Sequence, residues 1–597
     1  MYLSRIVIEN FRNFKSLDVS LAGNVVVVGE NRVGKSNLLH GLRLIFDPTL
    51  PDSARELQMG DFWDGIGDFN QNTRIRVSIE IKDFERDPDV LSVLTDFRIP
   101  GSPHTVSLTY EFKPKTGLPR APSSEKDFEF ICFGGQDRTR KFGYDVRSRI
   151  TMDVLPALRD AEGDLAVWRR SPLRPLIDTA FSTIDRDELQ NVADQIEAAT
   201  GQLMDFDPVS DLEDHIAQSY RALSGERQDI NPTLGFAATD ASKLHRQIKL
   251  LIDSGQRGVA DASVGSANLI FLTLKTMELR NLIEGNQRDH SLLAIEEPEA
   301  HLHPHLQRLV YRSLFQDASQ PGEDEADPPL SVIMTTHSPH IASVAPVRAL
   351  VLLREVENET IGYSTASLSL SDDEADDLAR YMDMTRAEML FARGVILVEG
   401  DAERFLVPKF AEELGHDLDG LGITICSVAG TNFTPYAKFL EVLEIPFAII
   451  TDFDPDADRG QKRTVALSKL LDGLRSDKYD DDYFDELLET DDWDRFDASI
   501  EEFGVFTNGD TLEIDLFEGS FSNAMIAILR EGRFGRIRRD RIDAWERDPR
   551  LVDRDHLLSM IDDIGKGRFA QRLAARIGGL EAPGYVERAI KYVVERV

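Results

Sequence analysis

Two pairs of carboxylates in the last third of the chain are spaced in a way that suits metal chemistry. Glu399 and Glu403 follow one short apolar stretch, and Asp452 and Asp454 follow another. A short apolar run that ends in acidic residues is typical of a buried strand that delivers carboxylates at its end. Carboxylate oxygens are hard ligands that suit Mg²⁺ or Mn²⁺. We therefore predict a divalent metal site built from these two strands.

A second candidate site lies near the start of the chain and suits phosphate chemistry. The apolar run 25–28 leads into the sequence GENRVGKS, a complete G-x-x-x-x-G-K-S loop, and an amphipathic stretch to Phe46 follows it. Such a loop turns backbone N–H groups towards phosphate, and the helix N-terminus adds positive charge. We expect Lys35 to reach the β- and γ-phosphates of ATP and Ser36 to hold Mg²⁺. The remaining candidates for nucleotide binding in this loop are Asn31, Gly34 and Asn37.

Two later motifs complete a nucleotide-hydrolysing site. An apolar run ends in Glu296 and Glu297, and a second one ends in His337. Glu296 takes the position that assists Mg²⁺ in P-loop proteins, and Glu297 is placed to polarise the attacking water. His337 fits a group that senses the γ-phosphate, and its order after the other two motifs supports this more than its residue type does.

The strand and helix patterns divide the chain into several parts. Residues 73–112 alternate apolar and polar, which predicts an antiparallel β-layer of the kind found beside the P-loop in ABC-type ATPases. Helical periodicity follows, and we expect this insertion to pack on its own domain or, preferably, on a partner subunit. The predicted segments are 1–165 for the first ATPase part, 166–240 for the helical insertion, 241–375 for the second ATPase part, and 376–597 for a parallel-sheet domain with a helical insertion and C-terminal helices.

The parallel-sheet domain places its acidic residues at one edge. A β-α-β-α-β order between residues 395 and 452 predicts parallel strands, whose carboxyl ends form the ligand-binding edge. Glu513 follows a further small apolar stretch, and Lys566 lies between two glycines at a predicted helix start. Asp456 and Asp458 are either additional ligands or part of a solvated loop.

Composition limits the class of protein. A chain of 597 residues is too long for one core, and it has no apolar run of 18 residues that could span a membrane. Its two cysteines are far apart in sequence, which excludes a zinc ribbon and suits a reduced, cytoplasmic protein. The net charge of −37 argues against a protein that coats DNA uniformly. The arginines between residues 530 and 541 form either a local patch for phosphates or pairs with nearby acids.

The combination of motifs resembles one family, the OLD (overcoming lysogenisation defect) nucleases. In layout it is most similar to members that work beside a UvrD/Rep-like helicase, such as the Gabija nuclease subunit. The motifs that carry the resemblance are residues 8–14, the phosphate loop, 296–299, 336–338, 398–400 with Glu403, and 452–454. The resemblance implies an α/β multidomain protein, with an ABC-type P-loop ATPase that has an antiparallel β-layer and a helical insertion, followed by a Toprim parallel-sheet domain.

The same resemblance implies an activity and its residues. The chain would be an ATP-regulated, metal-dependent DNA endonuclease, active in phage defence or DNA repair. It would form a homodimer or homotetramer, with a UvrD/Rep-like helicase as a candidate partner. Glu399 and Lys566 would be catalytic in DNA cleavage, and Glu297 and His337 in ATP hydrolysis. The ligands implied for two divalent ions are Glu399, Glu403, Asp452, Asp454 and Glu513. The Gly265–Ser266 segment corresponds either to a degenerate ATPase signature or to an ordinary helix cap.

Other Toprim proteins fit the sequence less well. A topoisomerase needs a nucleophilic tyrosine on a separate DNA-binding domain, and a bacterial-type primase usually carries a zinc ribbon. The main alternative is a non-catalytic, ATP-gated DNA clamp or sensor that resembles RecF. Retention of the whole acidic set favours the nuclease.

Overall fold

The computed structural model describes residues 1–157, 160–224, 232–234, 241–300, 302–319, 330–453 and 457–597. The chain divides into two compact units, one formed by Met1–Ala157 with Asp289–Val597 and the other by Leu158–Arg288. Both candidate sites lie in the first unit.

An antiparallel sheet begins the first unit. It has the strand order β2-β1-β4-β6-β5, with β7 on β6. The alternation predicted for residues 73–112 is present, because alternate residues of β4 are fully buried in the core of this layer. The first eight strands are β1 (Tyr2–Phe11), β2 (Phe14–Ser20), β3 (Val25–Gly29), β4 (Ile75–Lys82), β5 (Arg98–Ile99), β6 (Ser102–Pro114), β7 (Phe128–Gly134) and β8 (Ile150–Leu155). The helices among them are Lys35–Phe46, Asp52–Arg55, Pro88–Leu94 and Tyr144–Arg149.

The second unit is mainly helical in the part that is described. The helical period predicted from Leu173 onward is present there. Its helices and short paired strands are Ala161–Ala166, Leu173–Ser182, Arg186–Gly201, Asp207–Ser224, β9 (Leu251–Ile252), β10 (Arg257–Gly258) and Val264–Glu284. Dimerisation through this unit stays a prediction, as do the segment borders at residues 165, 240 and 375.

A mostly parallel sheet carries the nucleotide motifs. Its order is β14-β13-β3-β12-β11-β8, and β14 alone among these runs antiparallel to its neighbour. The added strands are β11 (His290–Glu296), β12 (Leu330–Thr336), β13 (Leu350–Val356) and β14 (Glu359–Ser364), with helices Pro304–Ser319 and Pro339–Ala342 between them. The carboxyl ends of β3, β11 and β12 meet at one edge, so this sheet brings together the three motifs that the sequence separates by about 300 residues.

The last sheet is fully parallel, with the order β16-β15-β17-β18. Its strands are β15 (Gly394–Val398), β16 (Ile423–Ser427), β17 (Phe447–Thr451) and β18 (Val505–Thr507). The predicted β-α-β-α-β order is confirmed, and β18 adds a fourth strand after the acidic insertion. The helices of this domain are Asp372–Tyr381, Met384–Ala387, Asp401–Glu413, Leu418–Leu421, Thr434–Val442, Ala457–Arg475, Asp481–Glu489, Trp493–Glu502, Leu512–Glu518, Ser522–Glu531, Arg536–Arg547, Arg554–Ile564, Lys566–Ala574 and Gly584–Val594.

One helix boundary differs from the sequence prediction. The pattern from Leu378 to Phe391 favours a single helix, but the helix Asp372–Tyr381 ends and a new helix, Met384–Ala387, begins. The break arises because the Asp383 side chain accepts a hydrogen bond from the backbone N–H of Arg386 and so caps a new helix. No helix in the described part of the chain is long and apolar enough to cross a membrane. Cys132 and Cys426 are both buried free thiols.

Candidate functional site

The phosphate loop joins β3 to the helix Lys35–Phe46 through a tight backbone path. Gly34 has φ of 95°, a left-handed conformation that favours glycine. A Cβ added at Gly34 would lie only 2.0 Å from Nδ2 of Asn13, so a side chain has no room there. Asn13 also donates a hydrogen bond to the carbonyl of Val33 at 2.7 Å, which ties the loop to β1 and β2. The conformation of the loop is therefore stabilised by Asn13, between β1 and β2, as well as by the loop's own glycines.

Lys35 is buried within this loop and turned back on it. Its Nζ donates hydrogen bonds to the carbonyls of Gly29 at 2.9 Å and Glu30 at 2.8 Å, and it lies 3.3 Å from Nδ1 of His337. Burial lowers the pKa of Lys35 to about 8, although the carboxylates of Glu297 and Glu299 act in the opposite direction. A phosphate that binds here must replace the two carbonyls as the partner of the ammonium group.

His337 links Lys35 to the acidic motif. Its Nε2 lies 2.9 Å from Oε1 of Glu297. If the ammonium donates to Nδ1, the ring proton lies on Nε2 and faces Glu297. The structure thus brings Lys35, His337 and Glu297 together in one chain of contacts, and their roles at ATP stay a prediction.

Glu299 is a functional candidate that the sequence reasoning missed. One carboxylate oxygen, Oε1, accepts hydrogen bonds from the backbone N–H of His337 at 2.6 Å and from the hydroxyl of Thr336 at 3.0 Å. These contacts hold the end of β12 and the backbone of His337 in place. Its place two residues after Glu297, in the same acidic run, was the available signal.

The other nucleotide candidates lie at the same edge with fewer contacts to this chain. Glu296 ends β11 opposite Thr335 of β12. Asn31 and Ser36 are exposed on the loop and at the helix start. Asn37 accepts a hydrogen bond from Arg12 at 2.8 Å and donates one to Asn13 at 2.7 Å, so it supports the loop from the side of the antiparallel sheet.

In the last sheet, Glu399 stands directly after β15 and is tied to the neighbouring strand. Its Oε1 accepts hydrogen bonds from the hydroxyl of Thr451 at 2.5 Å and from the backbone N–H of Asp452 at 2.9 Å. Arg463 approaches the same oxygen at 3.4 Å and also donates to the carbonyl of Asp452. The ends of β15 and β17 are therefore connected through Glu399, as the two apolar runs predicted.

Asp452 and Glu403 are held by groups on either side. Asp452 Oδ1 accepts hydrogen bonds from the Asn508 side chain and from the backbone N–H of Leu512 at 3.1 Å. Glu403 Oε2 accepts one from the backbone N–H of Gly400 at 3.1 Å, across the first turn of the helix Asp401–Glu413. The contact to Leu512 also brings in the helix Leu512–Glu518, whose second residue is Glu513.

The negative charge of this cluster is not fully compensated. Burial, reinforced by the carboxylates of Glu513 and Glu399, raises the pKa of Glu403 to about 7. Burial and the carboxylates of Glu399 and Glu403 raise the pKa of Asp452 to about 8. A carboxyl group has a raised pKa when its ionised form lacks sufficient positive charge nearby. Additional cations near Glu403 and Asp452 would therefore stabilise their ionised forms.

Lys566 supplies one of the positive charges at this edge. Its Nζ lies 3.5 Å from Oε1 of Glu513. Burial works against its charge, but the carboxylates of Glu513, Asp562 and Asp452 outweigh it and raise the pKa of Lys566. Glu513 is almost fully buried, whereas the lysine side chain is 53% exposed, so the ammonium is within reach of a substrate.

The donor set fits a hard divalent ion, although the described residues alone do not complete the cage. In the part of the chain that is described, no three side chains of Asp, Glu, His or Cys are arranged as a finished metal site. Asp454 and Asp456 lie outside the described residues, and nothing is described for the side chain of Asp458. Carboxylate oxygens with raised pKa values are the chemistry that Mg²⁺ or Mn²⁺ would neutralise.

Three supporting residues of this site were not predicted from the sequence. Thr451 and Arg463 bind Glu399, and Asn508 binds Asp452. Thr451 could have been found because it immediately precedes Asp452 on a predicted strand. Arg463 and Asn508 carry no local signal. The contact of Arg463 depends on how the helix Ala457–Arg475 packs, and that of Asn508 on how β17 and β18 pair.

Comparison with known families agrees with both parts of this arrangement. A family model described as "AAA domain, putative AbiEii toxin, Type IV TA system" matches residues 25–343, more than half of the chain. The chain belongs to this AAA-domain family. A second model, described as "Overcoming lysogenization defect protein-like, TOPRIM domain", matches residues 390–454 of the same AAA-domain protein. The predicted pairing of an ABC-type ATPase with an OLD-like Toprim domain is confirmed.

Two named relatives and one solved region are similar to parts of this chain. The OLD nuclease of Thermus scotoductus is 24% identical over 77% of this chain and 84% of its own. The endonuclease GajA of Bacillus cereus is 22% identical over 79% of this chain and 78% of its own. The solved C-terminal region of the Xanthomonas campestris OLD protein is 43% identical, covers 34% of this chain and 96% of its own, and has a TM-score of 0.30.

Proposed function

We propose that this protein is an ATP-regulated, metal-dependent DNA endonuclease. The similarity to an OLD nuclease and to GajA, together with the AAA and Toprim domains, supports an ATP-dependent nuclease. The observation that carries the finer proposal is the group of buried, poorly compensated carboxylates beside an exposed lysine at the carboxyl edge of the Toprim sheet.

The protein's own residues divide the work of phosphodiester cleavage. Glu399, Glu403, Asp452, Asp454 and Glu513 are the groups that would hold two divalent ions. When bound, such ions activate a water for in-line attack and neutralise charge on the leaving oxygen. Lys566 places its ammonium where the substrate phosphate would lie, and it would offset the charge that develops there. Thr451 and Asn508 orient Glu399 and Asp452 for this task.

The nucleotide site would regulate this reaction. Asn31, Gly34, Lys35, Ser36, Asn37 and Glu296 are the proposed contacts to ATP and its Mg²⁺. Lys35 exchanges its carbonyl partners for the phosphates, Glu297 accepts the proton of the attacking water, and His337 reports the state of the γ-phosphate through its contact with Glu297. Because His337 contacts both Lys35 and Glu297, binding of a phosphate at the lysine would change the position of the Glu297 carboxylate, the proposed base.

Assembly and cellular role are further parts of the proposal. The helical insertion exposes large apolar side chains, among them Val192, Phe206 and Leu212, which supports a homo-oligomer, a dimer or a tetramer. A UvrD/Rep-like helicase partner and a role in phage defence or DNA repair follow from the family resemblance alone. The proposed domain borders are those predicted from the sequence.

A second candidate is a non-catalytic, ATP-gated DNA clamp or sensor. The observation that favours it is the lack of a finished metal cage among the described residues. A clamp would bind DNA under ATP control and cut none of it. Its carboxylates would then be a remnant, which gives no reason for Thr451, Arg463 and Asn508 to hold them in place.

Incubation with plasmid DNA separates the two candidates. Native protein, Glu399→Ala and Lys566→Ala are compared with Mg²⁺ and with Mn²⁺, with and without ATP. We expect nicking or linearisation by the native protein only, and none after addition of EDTA. If native protein cleaves no DNA with either metal, the nuclease proposal is wrong and the clamp proposal remains. Lys35→Ala serves as the control that keeps the Toprim site and removes the nucleotide site.

A further inference from the structure

A hollow lined by arginines lies beside the Toprim site and is not used by the chemistry described above. It encloses about 710 Å³, and its lining includes Arg533, Arg536, Arg538 and Arg541. These residues come from the start of the helix Arg536–Arg547 and the segment before it. A cationic hollow stands out in a chain whose net charge is −37.

Most of the positive charge in this hollow is available to a ligand. Arg533 and Arg541 make no ion pair within 4 Å in the described part of the chain, and Arg536 has only Asp540 at 4.0 Å. Arg538 is paired, since it contacts Asp563, which also lines the hollow. Nearby acids therefore neutralise Arg538 and, outside the hollow, Arg530, which pairs with Asp543 and Glu546. Asp553 also acts electrostatically on Arg541 without an ion pair within 4 Å, and Arg533 has no acidic partner within 4 Å among the described residues.

The hollow borders the catalytic lysine. Asp563 and Ile564, which end the helix Arg554–Ile564, form part of its lining. Gly565 follows in a conformation with φ of 93°, and Lys566 begins the next helix. A polyanion bound in the hollow would therefore extend to Lys566. The ammonium of Lys566 lies 3.5 Å from Oε1 of Glu513, which is one of the proposed metal ligands.

One apolar side chain in the lining indicates which anion fits. Ile537 is 72% exposed although it stands between two arginines of the hollow. A free inorganic anion would gain nothing from this contact. The backbone of DNA alternates phosphates with apolar deoxyribose faces, so it matches both the guanidinium groups and the isoleucine.

We infer that this hollow holds the DNA backbone next to the scissile phosphate, with Arg533 and Arg541 as the residues that position it. The inference rests on the proposed nuclease function and specifies where its substrate lies. Each arginine that contacts a phosphate releases counterions, so binding through this hollow depends on salt.

The test uses the full-length chain with Glu399→Ala as background, so that DNA is bound but not cut. Binding of a labelled DNA duplex is measured at several salt concentrations with and without the double substitution Arg533→Ala, Arg541→Ala. We expect a roughly tenfold loss of affinity and a salt slope lower by about two, because two phosphate contacts are removed. Arg533→Lys, Arg541→Lys restores most of the affinity.

Matched measurements make the result specific. Arg495→Ala removes an arginine that is 58% exposed and paired with Glu486 on a different helix, and it leaves affinity and slope unchanged. Hydrolysis of bis(p-nitrophenyl) phosphate, a small diester that needs no backbone site, stays at the native rate when the two arginines are replaced in otherwise native protein. A drop in that rate would place Arg533 and Arg541 in the metal centre and overturn the inference.

Two outcomes separate this inference from the proposed function. If the native protein cuts DNA and the double variant binds it with unchanged affinity and salt slope, the hollow is not the backbone site and the nuclease stands. If the native protein cuts no DNA but the double variant loses affinity and slope, the hollow binds DNA and the nuclease proposal fails. Two results contradict the assignment to DNA. One is tighter binding of an RNA duplex of equal length, and the other is displacement of the labelled DNA by inorganic phosphate as effectively as by unlabelled DNA.

Discussion

The two candidate sites of this protein differ in how their charges are satisfied. In the nucleotide site, Lys35 is bound by two carbonyls and by His337, and His337 is bound by Glu297. In the Toprim site, Arg463 and Lys566 face a larger number of carboxylates, and two of those have strongly raised pKa values. In the nucleotide site, the charged groups have partners within the protein. In the Toprim site, the carboxylates have too little positive charge nearby.

This difference teaches how each site should respond to its ligand. ATP must displace internal contacts of Lys35, so its binding rearranges the loop and its neighbours. A divalent ion at the Toprim site adds positive charge beside carboxylates whose ionised forms are poorly compensated, so its binding stabilises the protein directly. Substitutions in one site or the other can separate these two responses.

The largest effect is expected from Glu399→Ala. This substitution removes the carboxylate that connects the ends of β15 and β17, and we expect DNA cleavage to fall by about 1,000-fold or more. ATP binding, measured by calorimetry on the same preparation, stays at the native level. Cleavage that survives at more than a tenth of the native rate in Mg²⁺ or Mn²⁺ would show that the chemistry occurs elsewhere.

Lys35→Ala should break the nucleotide site and leave the Toprim site intact. ATP affinity falls by about 100-fold, because the ammonium that faces the β- and γ-phosphates is lost. Metal-dependent cleavage without nucleotide continues at the native rate, and its response to ATP disappears. A variant that neither binds ATP nor loses the ATP response of cleavage would disprove regulation through this loop.

Glu403→Gln tests the excess of negative charge without any substrate. Since its folded-state pKa of about 7 lies above the ordinary value, the ionised carboxyl destabilises the fold, and its removal should stabilise metal-free protein by about 2–3 kcal/mol. The gain appears as pH rises above about 5, grows up to about 7 and then levels off. Thermal melts in EDTA measure it.

The same melts carry their own control. Addition of Mn²⁺ raises the melting temperature of native protein more than that of Glu403→Gln, because the ion neutralises the repulsion that the substitution has already removed. Equal metal-free stability of the two proteins between pH 5 and 8 would mean that the carboxylates are compensated.

The smallest effect is expected from Glu299→Gln. The amide oxygen of the glutamine can still accept one hydrogen bond from the N–H of His337. This hydrogen bond is weaker, because the negative charge of the carboxylate is lost. We expect ATP turnover to drop by about 3–10-fold, with ATP affinity unchanged, and Glu299→Ala to drop it further. An unchanged rate in both variants would reduce Glu299 to a structural contact.

Sequence reasoning found the parts of these sites that depend on short stretches of chain. The phosphate loop, the acids after β11 and β17, and Lys566 between two glycines are each defined by their immediate neighbours. The supporting residues were missed because their contacts are long-range. Asn508 meets Asp452 across a gap of 56 residues, and this contact depends on the pairing of β17 with β18. The broken helix before β15 was missed because one aspartate cap outweighed the helical periodicity.

The domain pairing was predictable because the order of motifs along the chain is itself specific. The balance of charge was not, since it depends on burial. Glu403 is 8% exposed and Glu513 is 6% exposed, values that no spacing of residues could give.

The most direct test of this account is a titration of nucleotide-free protein with Mn²⁺, followed by calorimetry or electron paramagnetic resonance. The account predicts about two ions bound per chain at the Toprim site, and loss of at least one in Glu399→Ala and in Glu513→Gln. Lys35→Ala binds the same number as native protein. Equal stoichiometry and affinity in native protein and Glu399→Ala would contradict the central claim that these carboxylates form the metal centre.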